Sequence, residues 1–202
     1  MNEQLIKVIK IAGDLLSQSN NRIAWNLFLA FIPLGISYYL FKVAQQRNFI
    51  WWLIALIFLA FLPNASYILT DSIHIIELSA NYPTWATICI LIPQYTLFII
   101  AGFEAYVISL SWLNDYLINN GLKKYTIVIQ AIAHCLCVLG IYLGRFERFN
   151  SWDLVTMPVT VLVKTAEDLF DLWKILTLAI AFLIVWLLAE FTGLINSKFM
   201  GD

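Results

Sequence analysis

The sequence predicts an all-α integral membrane helical bundle. It has about five transmembrane helices, with amphipathic surface helices at the N-terminus and before the final span. Three observations predict this. Hydrophobic residues make up 61% of the 202-residue chain and charged residues only 12%, about half the roughly 25% of a soluble domain. The apolar residues fall in runs near the length needed to cross a bilayer. Those runs lack the alternation of barrel strands, and lipid leaves an isolated segment no backbone partner outside a helix. The formal net charge of −1 provides no electrostatic footprint for nucleic acid. The N-terminus lacks the basic stretch, compact apolar core and small-residue cleavage site of a secretory signal.

Residues 1–18 read as an amphipathic interfacial helix and 19–202 as a single multi-pass membrane domain. Leu5, Val8, Ile9, Ala12, Leu15 and Leu16 recur at helical spacing, with Glu3, Lys7, Lys10, Asp14 and Ser17 opposite. Such a helix lies in the membrane surface or packs on the protein's own spans. The first span is Trp25–Phe41, an uncharged run. The second apolar run, Phe49–Leu62, follows a short basic loop and opens with Trp51 and Trp52. It is too short to cross alone at 1.5 Å per residue. Its crossing must continue at least to Tyr67 or Leu69, so the polar groups after Pro63 sit at the membrane edge. The third span covers roughly Trp85–Leu113, interrupted by Pro93 and carrying Glu104. The fourth runs from about Tyr125 to Gly144 and contains His134. A second amphipathic stretch sets Leu162, Ala166, Leu169, Phe170 and Trp173 against Lys164, Glu167, Asp168 and Asp171. The fifth span is about Ile175–Ile195.

The most polar motifs, FLPNASYILTDSIHI (61–75) and GRFERFNSWD (144–153), end the second and fourth spans. Two crossings separate those ends, so both motifs face the same side. A raw count of Lys and Arg puts that side in the cytoplasm. Yet the loop from Asn64 to Pro83 has no Lys or Arg, whereas both opposite loops carry two each. Short loops weigh most in the positive-inside rule, and they place the motifs on the extracytoplasmic side of the membrane.

The motifs nominate Asn64, Tyr67, Asp71, His74, Arg145, Arg148, Asn150 and Asp153 as a polar site. Pro63 frees a backbone carbonyl, and Asn64, Ser66 and Thr70 are residues that satisfy freed backbone. Asp71 and His74 share a helical face, a common way for a carboxylate to orient an imidazole. Arg145 and Arg148 have the same spacing. They bind anionic head groups in forked geometry, or pair with Asp71, Asp153 or Glu147 to lock the two loops. Asn150, Ser151 and Asp153 also suit a turn and a helix cap. Glu104 and His134 have similar depths on antiparallel helices, which predicts an intramembrane polar pair with Gln130 one turn away. Cys135 and Cys137 lie just after His134, but residues two apart on a helix diverge by about 200°, so no metal site is expected. No cofactor signature is present.

The blocks WNLFLAFIP (25–33), FLPNASYILTDSIHI and GRFERFNSWD occur in order. Together they resemble a bacterial family of multi-pass membrane proteins catalogued as Domain of Unknown Function thirteen-sixty-one, over about residues 22–195. The chain has Ser66 where that family tends to have proline and Phe149 where it tends to have tryptophan. Members often begin with an extra apolar span where this chain has its amphipathic helix. The resemblance implies no activity. Three functions stay open. The first is a site for an anionic or polar ligand such as a lipid head group, enzymatic if His74 acts as a base. The second is a structural or assembly partner whose motifs clamp helices. The third is a small proton-linked transporter using Glu104 and His134. Expected partners are membrane lipids and a further membrane protein, not nucleic acid.

Overall fold

The structure is a computed structural model describing residues 3–149 and 153–200. Five helices are long and apolar enough to cross a membrane. They are Glu3–Val43, Phe49–Ser79, Thr84–Asn119, Lys123–Arg145 and Leu172–Phe199. The described residues contain no strand. The chain is therefore an integral membrane bundle of α-helices, as its composition predicts.

The third span is the centre of the bundle and touches each of the other four. It contributes Tyr95, Phe98, Phe103, Tyr106 and Leu110 to the core. A wider, π-type turn over Thr87–Leu91 precedes Pro93, which sits in the first turn of the helix Ile92–Asn119. There its missing N–H costs nothing. The second and fourth spans pack at very close range because Gly140 faces Pro63. A Cβ built on Gly140 would stand 2.6 Å from the Pro63 Cβ. Small residues at such crossings let membrane helices gain van der Waals contact that lipid would otherwise supply. The fifth span is peripheral. Val185 and Ala189 are buried, while Leu183, Leu187 and Leu194 face outward.

Residues 3–18 do not form a separate surface helix. One unbroken helix, Glu3–Tyr38, holds both the amphipathic stretch and most of the first span. At 1.5 Å per residue it is about 54 Å long, against about 30 Å for a bilayer core. The apolar stripe explains the continuity. Ile11 and Leu15 pack on the same core as Ile23 and Leu27. The Ser19 hydroxyl donates to the Gln94 Oε1 at 2.9 Å, tying this stretch to the third span. The apolar face is thus partly spent on the protein's own helices.

The second span runs through Pro63, as its length requires. The helix Phe49–Tyr67 tightens into a 3₁₀ stretch over Ile68–Ser72 and resumes over Ile73–Ser79. Before the fifth span come two short helices, Asp153–Thr156 and Pro158–Asp168. The second of these turns its charged side toward the protein, with Lys164 3.7 Å from Glu147 and Asp168 2.5 Å from Lys174. Its Val159, Leu162 and Val163 are exposed, as is Phe170 just beyond its end. An apolar face turned outward beside a membrane span suits the bilayer interface.

Candidate functional site

Asp71 lies where three spans meet. It falls in the 3₁₀ stretch, which turns its side chain inward until only 1% of it is exposed. One carboxylate oxygen receives Arg145 Nη2 at 2.8 Å and the other receives the Asn26 amide at 2.6 Å. His74 Nε2 stands 3.7 Å from the first oxygen, and His74 Nδ1 is 2.6 Å from Glu77 Oε2. A charge removed from water needs such compensation.

Arg145 ends the fourth span, and four contacts fix its guanidinium. Besides Asp71, its Nε and Nη2 donate to Thr70 Oγ1 at 3.2 and 2.6 Å. Its Cζ lies 4.6 Å from the Tyr67 ring centroid, a cation–π arrangement. Thr70 donates its own proton to the Tyr67 carbonyl at 2.7 Å, so its oxygen is free to accept from the arginine. Ser66 donates to the Pro63 carbonyl and Asn64 to the Phe61 carbonyl, both at 3.1 Å. These side chains bond carbonyls on either side of the proline, but none of the three reaches the Leu59 carbonyl that Pro63 frees one turn earlier.

The helix stops after Arg145, and Arg148 adopts a left-handed backbone with φ 60°. That reversal separates two arginines with helical spacing. Arg145 is tied down, whereas Arg148 makes no ion pair or hydrogen bond with a described residue. Both line a cavity of about 480 Å³ with Asn64, Tyr67, Asp71 and His74. Trp25, Leu29, Ala60, Phe61, Leu143 and Val161 form its apolar wall. Gly144 keeps it open beside the Tyr67 ring, since a Cβ there would stand 3.1 Å from Tyr67 Cε2. Of the nominated residues, these six converge. Asp153 does not line the cavity. It is buried at the start of its short helix, where its Oδ1 accepts from Thr156 at 3.4 Å. Asn150 lies outside the described residues.

The expected pair of Glu104 and His134 does not form. Glu104 Oε2 accepts from Asn196 of the fifth span at 2.8 Å. His134 Nδ1 shares a 2.6 Å hydrogen bond with the Tyr106 hydroxyl, and its ring stacks on Trp186 with centroids 6.1 Å apart. Equal depth did not suffice because direction also matters. Glu104 and Tyr106 are two residues apart and point about 200° apart on their helix. Tyr106 therefore meets the histidine while Glu104 turns to the fifth span.

Sequence reasoning missed three participants. Asn26 is an amide inside an apolar run, and that isolation was its signal. Glu77 follows His74 at the same spacing by which His74 follows Asp71. Glu190 is an acid inside the fifth span. Beside the cavity, burial pushes the Asp168 carboxyl up, but the hydrogen bond from Lys174 and the charge of Lys164 outweigh it. Its pKa falls below the ordinary carboxylate value.

Chemically, the cavity offers guanidinium and imidazole donors on one side and an apolar wall on the other. Arg145, Arg148 and the Asp71 carboxylate sum to a positive site even with His74 neutral. The described residues lining it include no Ser, Cys or Lys. A family model described as a protein of unknown function, DUF1361, matches residues 25–189, which include all three blocks. No curated protein and no solved structure matches.

Proposed function

The chain belongs to the DUF1361 family, and we propose that it is a membrane protein that binds an anionic amphiphile, such as a lipid with a phosphate or carboxylate head group. The observation that carries this reading is the contrast between the two arginines. Arg145 is spent on Asp71 and Thr70, while Arg148 lines the same cavity without such partners. A guanidinium is suited to phosphate and carboxylate recognition. The apolar wall from Trp25 to Val161 suits the acyl portion of the same molecule.

A clamp function has its own support, because Asp71 joins the first, second and fourth spans through Asn26 and Arg145. The two readings divide by residue. Asp71 and Arg145 hold the bundle, and Arg148 holds the ligand. We place this end on the extracytoplasmic face of a bacterial plasma membrane, since Lys42, Arg47, Lys123 and Lys124 all lie in or beside the short connections opposite.

Mass spectrometry of lipids retained by the purified protein tests the reading. The wild-type chain is expected to retain an anionic lipid that Arg148→Ala loses while still purifying as a folded helical protein. An identical lipid complement in both proteins would overturn it. For sidedness, a membrane-impermeant thiol reagent on intact cells should label Ser79→Cys in a background lacking the native cysteines. Labelling only after the cells are opened would reverse the orientation.

A further inference from the structure

A second cavity, of about 270 Å³, opens in the other half of the bundle. The third, fourth and fifth spans build it, and its polar lining is Ser111, Asn114, Gln130, His134, Glu190 and Ser197. It shares no lining residue with the first cavity. Glu190 lies ten residues before the end of the fifth helix at Met200, roughly 15 Å along the axis. An ionisable group at that depth is costly unless it faces a cavity and finds a counter-charge.

Glu190 has neither a cation nor a strong donor in the described chain. Its one hydrogen bond comes from the Trp186 indole at 3.3 Å. Glu190 is exposed at the mouth of this cavity, whereas the buried Asp71 is met by Arg145 at 2.8 Å and the half-buried Glu104 by Asn196 at 2.8 Å. Among the described residues, no Lys or Arg lines the second cavity. Asn114 and Gln130 are half-buried in its wall, and neither side chain makes a hydrogen bond with a described residue. Their carbonyls and the serine hydroxyls are hard oxygen acceptors around a single negative charge. Such a set suits a monovalent cation, because a divalent ion draws on more carboxylates or on substrate phosphates. The volume equals roughly nine waters at about 30 Å³ each, enough for an ion that keeps part of its hydration shell.

We propose that this cavity is a monovalent-cation site, entered from the membrane face opposite Asp71, with Glu190 as its charge and Asn114 and Gln130 as neutral ligands. The site neutralises Glu190 and links the fifth span to the third and fourth, so occupancy stabilises the bundle.

The test uses the full chain in phosphatidylcholine nanodiscs. Thermal unfolding is followed in sodium, potassium, ammonium and N-methyl-D-glucamine chlorides at constant ionic strength. At least one of the three small cations is expected to raise Tm saturably above the glucamine control, and Glu190→Gln is expected to abolish that rise. If Glu190→Gln does not fold, Asn114→Leu and Gln130→Leu, which fill the cavity with apolar volume, are expected to abolish it instead. Equal Tm in all four salts overturns the proposal. A cation response that survives in Glu190→Gln, or in both leucine variants, does the same.

Discussion

At one end of the bundle, the carboxylate of Asp71 receives an arginine and an amide and has an imidazole alongside. In the other half, the carboxylate of Glu190 receives one indole N–H across 3.3 Å and looks into a cavity lined by neutral amides and hydroxyls. The difference separates polarity that closes a structure from polarity that leaves it open. Around Asp71 the cost of burial is met inside the chain, and the surplus is a single cation, Arg148. Around Glu190, which is exposed, no partner of that strength stands among the described residues, and the surplus is an anion.

The strongest way to break the comparison is to remove Arg145. Arg145→Ala leaves Asp71 buried without its cation, a loss of about 3–5 kcal/mol, readable as a lower unfolding midpoint in a denaturant titration. Glu190→Gln should leave that midpoint close to wild type when small cations are absent. Equal losses in the two variants would erase the distinction.

Asn26→Leu removes a hydrogen bond to a charged group, and a loss of about 1.5–3 kcal/mol is expected in the same assay. Gly140→Ala tests whether close helix approach sets up the charged end. Its new methyl meets the rigid Pro63 ring, with an expected cost of about 1–3 kcal/mol. Gly102→Ala overlaps the buried Ile68 side chain, whose Cδ1 would clash with the new methyl and whose Cγ1 and Cγ2 would stand 3.1 Å from it, and a cost of the same order is expected. Lys42→Met marks the small end of the scale. Its ion pair with Asp115 is 3.0 Å long but exposed on both sides, so a change under about 1 kcal/mol is expected.

Acid adds a separate check near the first cavity. Because the Asp168 carboxyl is lowered, its contribution is complete above the ordinary carboxylate pKa and is lost as pH falls through the folded value. Asp168→Asn should therefore flatten the stability profile below about pH 4 and weaken stability above it.

The span count and the shared face of the two motifs were legible because they rest on length and parity. A run too short to cross had to continue past Pro63, and two crossings had to return the chain to the same face. Arg145 meeting Asp71 is the direct result. What could not be read was direction around an axis. Glu104 and His134 have matching depths, but depth says nothing about which neighbour a helical face meets. The two arginines looked equivalent until the helix ended between them and Arg148 took a positive φ. The break expected after residue 18 failed for a related reason. Periodicity marked the apolar face without showing that Ile11 and Leu15 were already spent on the protein's own core.

The helix Pro158–Asp168 turns its charges inward and its aliphatic residues outward beside the mouth of the first cavity, to which it lends Val161. The chain thus carries its own waterline. On the proposed reading, head groups float at the level this helix sets, beside the cavity that Arg148 lines. A lipid would meet the guanidinium without leaving its leaflet, moving sideways rather than upward.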